Sequence, residues 1–312
     1  MSTAFVFPGQ GSQAVGMGRD LYEQEPAVRA LFDEADAALG IPLAQMCFEG
    51  PREELTATEH AQPALLATSV ALLIGLACGA DPLPFVTRHA SFVAGHSLGE
   101  YTALVAARAL DFPTALRLVR QRGELMADSH AGIMAAIIGM DEKPLETICS
   151  EVSVDGARVV IANYNSPGQL VISGSQVAVE HALVLAKERG AKRVQLLKVS
   201  AAFHSPLMRE AAARLAPAIG EARIADACVP VMANVTAEPL TSAEAIRREL
   251  VVQVTAPVRW ITSVQRMVAQ GVDTFVEIGP GSVLTRLIKR IVPEARLINV
   301  SDAASVRAFL ER

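Results

Sequence analysis

Cysteine is scarce in this chain, with 4 in 312 residues, and Cys47, Cys78, Cys149 and Cys228 stand too far apart to make a CxxC or Cys/His ligand pattern. That spacing excludes a zinc ribbon and a small disulfide framework, gives no metal site, and points to a reducing, cytoplasmic setting. Aromatic residues make up only 4%, and no aromatic belt flanks the one charge-free run, Ala61 to Ala80. The run opens on Gln62-Pro63, carries Thr68 and Ser69 and lacks basic anchors, so it reads as a helix buried in a large core and not as a membrane span. A basic excess is missing too. Lys and Arg number 28 against 33 Asp and Glu, for a net charge of -5, and the cations are scattered, which leaves no electrostatic footprint for nucleic acid. Met1 runs straight into Ala4-Phe5-Val6-Phe7, without the regions of a signal peptide. Repeats and low-complexity tracts are absent as well.

What remains is a chain with 51% hydrophobic and 20% charged residues, the balance of a globular α/β enzyme with a large core. Short apolar runs predict strands at Ala4 to Phe7, Phe92 to Ala94, Val229 to Ala233, Thr274 to Ile278 and Arg296 to Val300. Helical periodicity marks Tyr22 to Leu39, Pro113 to Met126, Pro206 to Ile219 and Val258 to Ala269. This alternation implies a mostly parallel sheet covered by helices, an α/β core. Between Ala131 and Val199 the pattern changes. Strands are expected at Gly132 to Ile138, Arg158 to Ala162, Gln169 to Ser173 and Arg193 to Leu197, with helices near Lys143 to Val152 and Val177 to Arg189. That β-α-β-β-α-β order fits an inserted ferredoxin-like subdomain, residues 131–199, within a large catalytic subdomain of residues 1–130 and 200–312.

Gly95-His96-Ser97-Leu98-Gly99 lies where an apolar strand hands over to the alanine-rich, helix-favouring segment from Glu100 to Ala107. In that context Ser97 is expected on a sharp strand-to-helix turn, its hydroxyl exposed above a helix N-terminus, with glycines where Cβ atoms would not fit. A serine hydroxyl needs a neighbouring base. Among six histidines, His96 should point away across the turn, and His60, His89, His130 and His181 sit in polar or helical settings typical of the surface. His204 lies in Ala201-Ala202-Phe203-His204-Ser205-Pro206, at the return from the small subdomain and just before a helix, and is the candidate base. No Asp or Glu between Ser97 and His204 stands in a context that marks it as a third triad member.

Several ordered segments resemble the malonyl-CoA:acyl carrier protein transacylases: Phe7-Pro8-Gly9-Gln10-Gly11-Ser12-Gln13, the elbow through Glu100-Tyr101, Arg122-Gly123 with Met126, Phe203-His204-Ser205-Pro206-Leu207-Met208, and Gln253 before Pro257-Val258-Arg259-Trp260. The resemblance runs from the first strand to Gly279-Pro280-Gly281, and the family also holds acyltransferase domains of fatty acid and polyketide synthases and a malonate decarboxylase subunit. It implies a core like that of the α/β-hydrolases. Ser97 would be the acyl-accepting nucleophile, His204 the general base and then acid, and the amides of Gln10 and Leu98 the oxyanion donors. The Gln253 main-chain carbonyl would orient His204, its side chain mattering less than its position. Arg122 would pair with the free carboxylate of the malonyl group, a match between a planar fork of donors and a carboxylate.

Further along the same resemblance, Phe203 would crowd a 2-methyl branch, and Asn163 and Asn165 would sit on a loop bordering the cleft. The implied partners are malonyl-CoA and the phosphopantetheine thiol of an acyl carrier protein, with no cofactor and a monomeric enzyme. The alternatives left open are a polyketide acyltransferase acting in trans, a malonate decarboxylase subunit, an acyl-thioester hydrolase and an idle scaffold that docks carriers.

Overall fold

The computed structural model describes residues 2–129, 132–199 and 201–312. Among them ten strands form two sheets: β1 (Ser2–Phe7), β2 (Phe92–Gly95), β3 (Ile133–Ile138), β4 (Val159–Ser166), β5 (Gln169–Gly174), β6 (Arg193–Leu196), β7 (Val231–Met232), β8 (Pro239–Leu240), β9 (Val272–Ile278) and β10 (Arg296–Val300). In the larger sheet β10, β9, β1, β2 and β7 lie side by side and parallel, and β8 closes the edge antiparallel to β7. Parallel strands need helical crossovers that cover both faces, so their residues are apolar without alternation. The period of two survives in where they pack. Phe5, Phe7 and Val93 join one core, whereas Ala4, Val6, Phe92 and Ala94 join the other.

The smaller sheet is antiparallel in the order β4, β5, β3, β6, the ferredoxin-like arrangement, with helices Glu142–Val152 and Gln176–Glu188 packed over it. Ala135, Ile137, Ile161, Leu170 and Ile172 give it a separate core. Backbone also ties the smaller sheet to the segment before the helix Trp260–Ala269. Val258 N–H donates to Ala162 O at 2.8 Å, and Tyr164 N–H donates to Val258 O at 2.9 Å.

Several expected boundaries move, each for a physical reason. The helix expected from Tyr22 to Leu39 is two, Arg19–Gln24 and Pro26–Leu39, because Pro26 starts a new first turn more readily than it continues an old one. The strand expected from Val229 shrinks to Val231–Met232, since Pro230 has no N–H to give to a ladder. Val258 is pinned against β4, so its helix begins at Trp260. Pro206 to Met208 form a 3-10 turn before the α-helix Arg209–Glu221. Short helices such as Leu43–Glu49 and Arg52–Thr56 carry too little periodicity to be read in advance.

The charge-free run forms the helix Thr58–Leu76, buried along most of its length, and no helix of the described residues is long and apolar enough to cross a membrane. Pro63 cannot bond to the carbonyl of Glu59 one turn back, and Arg120 Nη1 supplies the missing donor to that oxygen at 3.3 Å. Arg120 belongs to the helix Phe112–Asp128, which packs closely here because Gly123 has no side chain. A Cβ at Gly123 would lie 2.7 Å from Glu59 Cα and 2.8 Å from Thr58 O. Gly123→Ala should therefore force two helix backbones apart and lower stability by about 1–3 kcal/mol in denaturant unfolding; an unchanged midpoint would mean that the contact is soft.

Candidate active site

The parallel sheet brings the ends of β1 and β2 together, where a doubly wound sheet opens a crevice. β2 ends at Gly95, the helix Gly99–Ala106 follows, and Ser97 between them takes φ 52°, a left-handed conformation costing about 1–3 kcal/mol in a non-glycine residue. The two glycines permit this turn. A Cβ on Gly95 would fall 1.9 Å from Gly99 C, and one on Gly99 would fall 2.1 Å from Phe7 O. Asn234, just beyond β7, straps the bend: its Oδ1 accepts from Ser97 N–H at 2.7 Å and its Nδ2 donates to Gly95 O at 2.7 Å. His96, expected to point away across the turn, instead lines the same cavity as Ser97, with its Nε2 2.8 Å from Asn165 Oδ1 on β4.

His204 sits with φ 55°, buried, and its Nε2 lies 2.7 Å from Ser97 Oγ. Its Nδ1 is 2.9 Å from Gln253 O and 3.1 Å from Ala256 O. Carbonyl oxygens only accept, so Nδ1 carries the hydrogen and Nε2 presents a lone pair to the serine proton. Burial, reinforced by the nearby Arg122 cation, lowers the His204 pKa to about 3. The imidazole is thus held neutral, ready to accept. His60 and His89 bond the carbonyls of Glu54 and Phe85 instead, His181 is exposed, and His130 lies outside the described residues.

Arg122 comes from the helix Phe112–Asp128 and is only 1% exposed, yet among the described residues it meets no carboxylate. Its Nη1 donates to Gln62 Oε1 at 2.7 Å, and its Nη2 donates to Ser97 Oγ and to Gln253 Oε1, each at 3.0 Å. The guanidinium lies over the Tyr101 ring, 5.8 Å from its centroid, and Nε has no partner. A buried cation with neutral neighbours is an unmet demand for an anion. The Gln253 side chain, expected to matter less than its position, is nevertheless engaged: besides accepting from Arg122, its Nε2 donates to Ser97 O at 3.0 Å and to Glu100 Oε2 at 2.5 Å.

A cavity of about 120 Å³ opens over Ser97, lined by Gln10, His96, Leu98, Arg122, Met126, Asn163, Phe203 and His204, with Met134, Leu197 and Val199 added from in and around the smaller sheet. Gln253 lies beneath it, fully buried. Neither the Gln10 N–H nor the Leu98 N–H donates to a carbonyl among the described residues, so both amides are free to bind an oxygen above Ser97. Gln62 and Asn234 escaped the sequence reading. Gln62 had a signal, as an amide in an otherwise apolar run, but Asn234 had none.

The acid limb of kcat/KM reports the free enzyme's base. With His204 depressed from 6.5 to about 3, the base form persists as pH falls below 6.5, so kcat/KM should stay level across that value in steady-state assays. An inflection near the ordinary histidine value would show a solvated, unperturbed base.

The acyl transferase domain family matches residues 4–308 of the chain. The malonyl CoA-acyl carrier protein transacylase of Bacillus subtilis is 48% identical over 99% of this chain and 96% of its own. An acyl-carrier-protein-S-malonyltransferase from Bartonella henselae superposes with a TM-score of 0.94 at 45% identity, covering 100% of this chain and 99% of that one. A malonyl-transacylase solved in complex with its type II polyketide acyl-carrier protein gives 0.93 at 44% identity, covering 100% and 99%. With the left-handed serine, its neutral histidine and the unpaired arginine in one cleft, these likenesses run the length of the chain, which belongs to the malonyl-CoA:acyl carrier protein transacylase family of acyl transferase domains.

Proposed function

We propose that the chain moves a malonyl group from malonyl-CoA to the phosphopantetheine thiol of an acyl carrier protein through malonyl-Ser97. The observation that carries this reading is Arg122, a buried cation with no carboxylate of its own, hydrogen-bonded to Ser97 Oγ. Ser97 Oγ attacks the thioester carbonyl while its proton passes to His204 Nε2. The carbon–sulfur bond breaks, and the coenzyme A thiolate takes that proton. In the second half-reaction the carrier thiol gives its proton to His204 and attacks the ester, and Ser97 leaves reprotonated.

The amides of Gln10 and Leu98 would hold the oxyanion, each worth about 2.7–4 kcal/mol in the transition state. Arg122 would release Ser97 Oγ to grip the free carboxylate, a bidentate pair that acetyl cannot form. Phe203 and Met126 would wall the acyl end, and Asn163 the β4 side. Residues 131–199 would act as an inserted subdomain roofing the cleft, a reading supported by Met134, Leu197 and Val199 in the cavity lining. The reading calls for no cofactor. Four unpaired cysteines suit a cytoplasmic enzyme, and a monomer suffices because every named group comes from one chain.

Mixing the enzyme with malonyl-CoA should add one malonyl mass, mapped to the Ser97 peptide and absent in Ser97→Ala. Arg122→Ala should lose malonyl transfer roughly 10- to 150-fold more than acetyl transfer in kcat/KM, the worth of a charged hydrogen bond. Equal losses for the two acyl groups would return Arg122 to a structural role.

A further inference from the structure

Glu100 opens the helix behind the elbow, and no part of it reaches solvent. Its Oε2 accepts from Gln253 Nε2 at 2.5 Å, while its Oε1 has no hydrogen-bond partner among the described residues. No Lys, Arg or His there comes within 4.0 Å of it. A full negative charge on an unpartnered oxygen in a dry interior is among the costliest arrangements a protein can hold. The neighbouring Glu249 is better provided for, since its Oε1 accepts from Val235 N–H at 2.7 Å. Burial raises both carboxyls, and two in one buried corner cannot both ionise cheaply; the Asn234 backbone favours the charge on either, but only Glu249 also has the Val235 N–H, so the shared proton sits on Glu100.

The orientation of Gln253 follows from Glu100. The glutamine can turn its amide either way, but Glu100 Oε2 and Ser97 O are both acceptors, so Nε2 faces them and Oε1 faces Arg122 Nη2. Reversed, the amide would set donor against donor. We propose that Glu100 is a positioning residue of malonyl transfer: as a neutral carboxylic acid it fixes the Gln253 amide and leaves Arg122 charged, unpaired and aimed at Ser97, so that the only carboxylate the arginine meets belongs to the substrate.

The groups that face Glu100 are Glu249 from the helix Ala243–Gln253, Arg122 from the helix Phe112–Asp128, and Tyr101 beside it on its own helix. Burial first and Glu249 second push the Glu100 carboxyl well above the usual carboxylate range. As pH rises and the last proton leaves the pair, Glu100 becomes an anion close to Arg122 and competes with the malonyl carboxylate. Selectivity then falls from inside.

The inference rests on the reading of Arg122 as the malonyl partner, and its test has an arm that does not. Infrared spectra at pH 6.5 should show a protonated-carboxyl C=O stretch in the wild-type enzyme that is lost in Glu100→Gln and kept in Glu249→Gln. In steady-state kinetics Glu100→Gln should hold the KM for malonyl-CoA within about threefold at neutral pH, whereas Glu100→Ala, which removes the acceptor for Gln253, should raise it about tenfold or more. The wild-type KM should climb on the alkaline side, and that climb should vanish in Glu100→Gln. Survival of the band in Glu100→Gln, or a KM there as high as in Glu100→Ala, overturns the proposal. Equal malonyl and acetyl losses in Arg122→Ala would instead sink the reading beneath it while leaving the infrared result intact.

Discussion

A guanidinium held in the protein interior without a counterion is the constraint on which this structure turns. Removing such a charge from water costs several kcal/mol even after relaxation, and the fold offsets it with dipoles that cannot neutralise it. Gln62, Gln253 and the Tyr101 ring face Arg122 from different elements. Each must be placed accurately, which requires close helix contact at Gly123 and a buried support behind Gln253. Three buried polar side chains, Gln62, Gln253 and Glu100, are explained by keeping one cation buried without a carboxylate among the described residues.

The same cation acts on the histidine. Burial first and Arg122 second hold His204 neutral, so on the proposed reading an acyl carboxylate paired with the arginine would lift the lesser part of that depression as the substrate arrives. Backbone carbonyls from Gln253 and Ala256 do the orienting that an aspartate does in a hydrolase triad, and they do so without adding a negative charge that would pair with Arg122.

What could be read from the chain was local. The elbow, the inserted β-α-β-β-α-β order and the buried run at Ala61 to Ala80 are each written within a few dozen residues, as turn chemistry, strand spacing and absence of charge. The elbow marked Ser97 and a junction before a helix marked His204 as the candidate base, but Arg122 acquired its role only through a resemblance, and nothing in their neighbouring residues reveals that the three meet. Asn234 was invisible for the same reason and Gln62 stood out only as an amide in an apolar run: their partners, Ser97 and Arg122, lie 137 and 60 residues away. Gln253 was half seen. Its carbonyl role came with the family, but the work of its side chain depends on Glu100, 153 positions off. Boundaries failed mainly at prolines, where a missing N–H overrules an apolar pattern.

Ser97 spends its own N–H on Asn234, so it has no amide left for a reacting oxygen, which is why the proposed donors are the amides of Gln10 and Leu98. The elbow is thereby moored to the sheet, through β2 and the segment after β7, while the walls around the acyl group hang from other elements. Nucleophile and mould are mechanically separable. If the proposed walls hold, a lineage or an engineer would recut Phe203, Met126 or the smaller sheet's side of the cavity to admit a different acyl chain without loosening the serine.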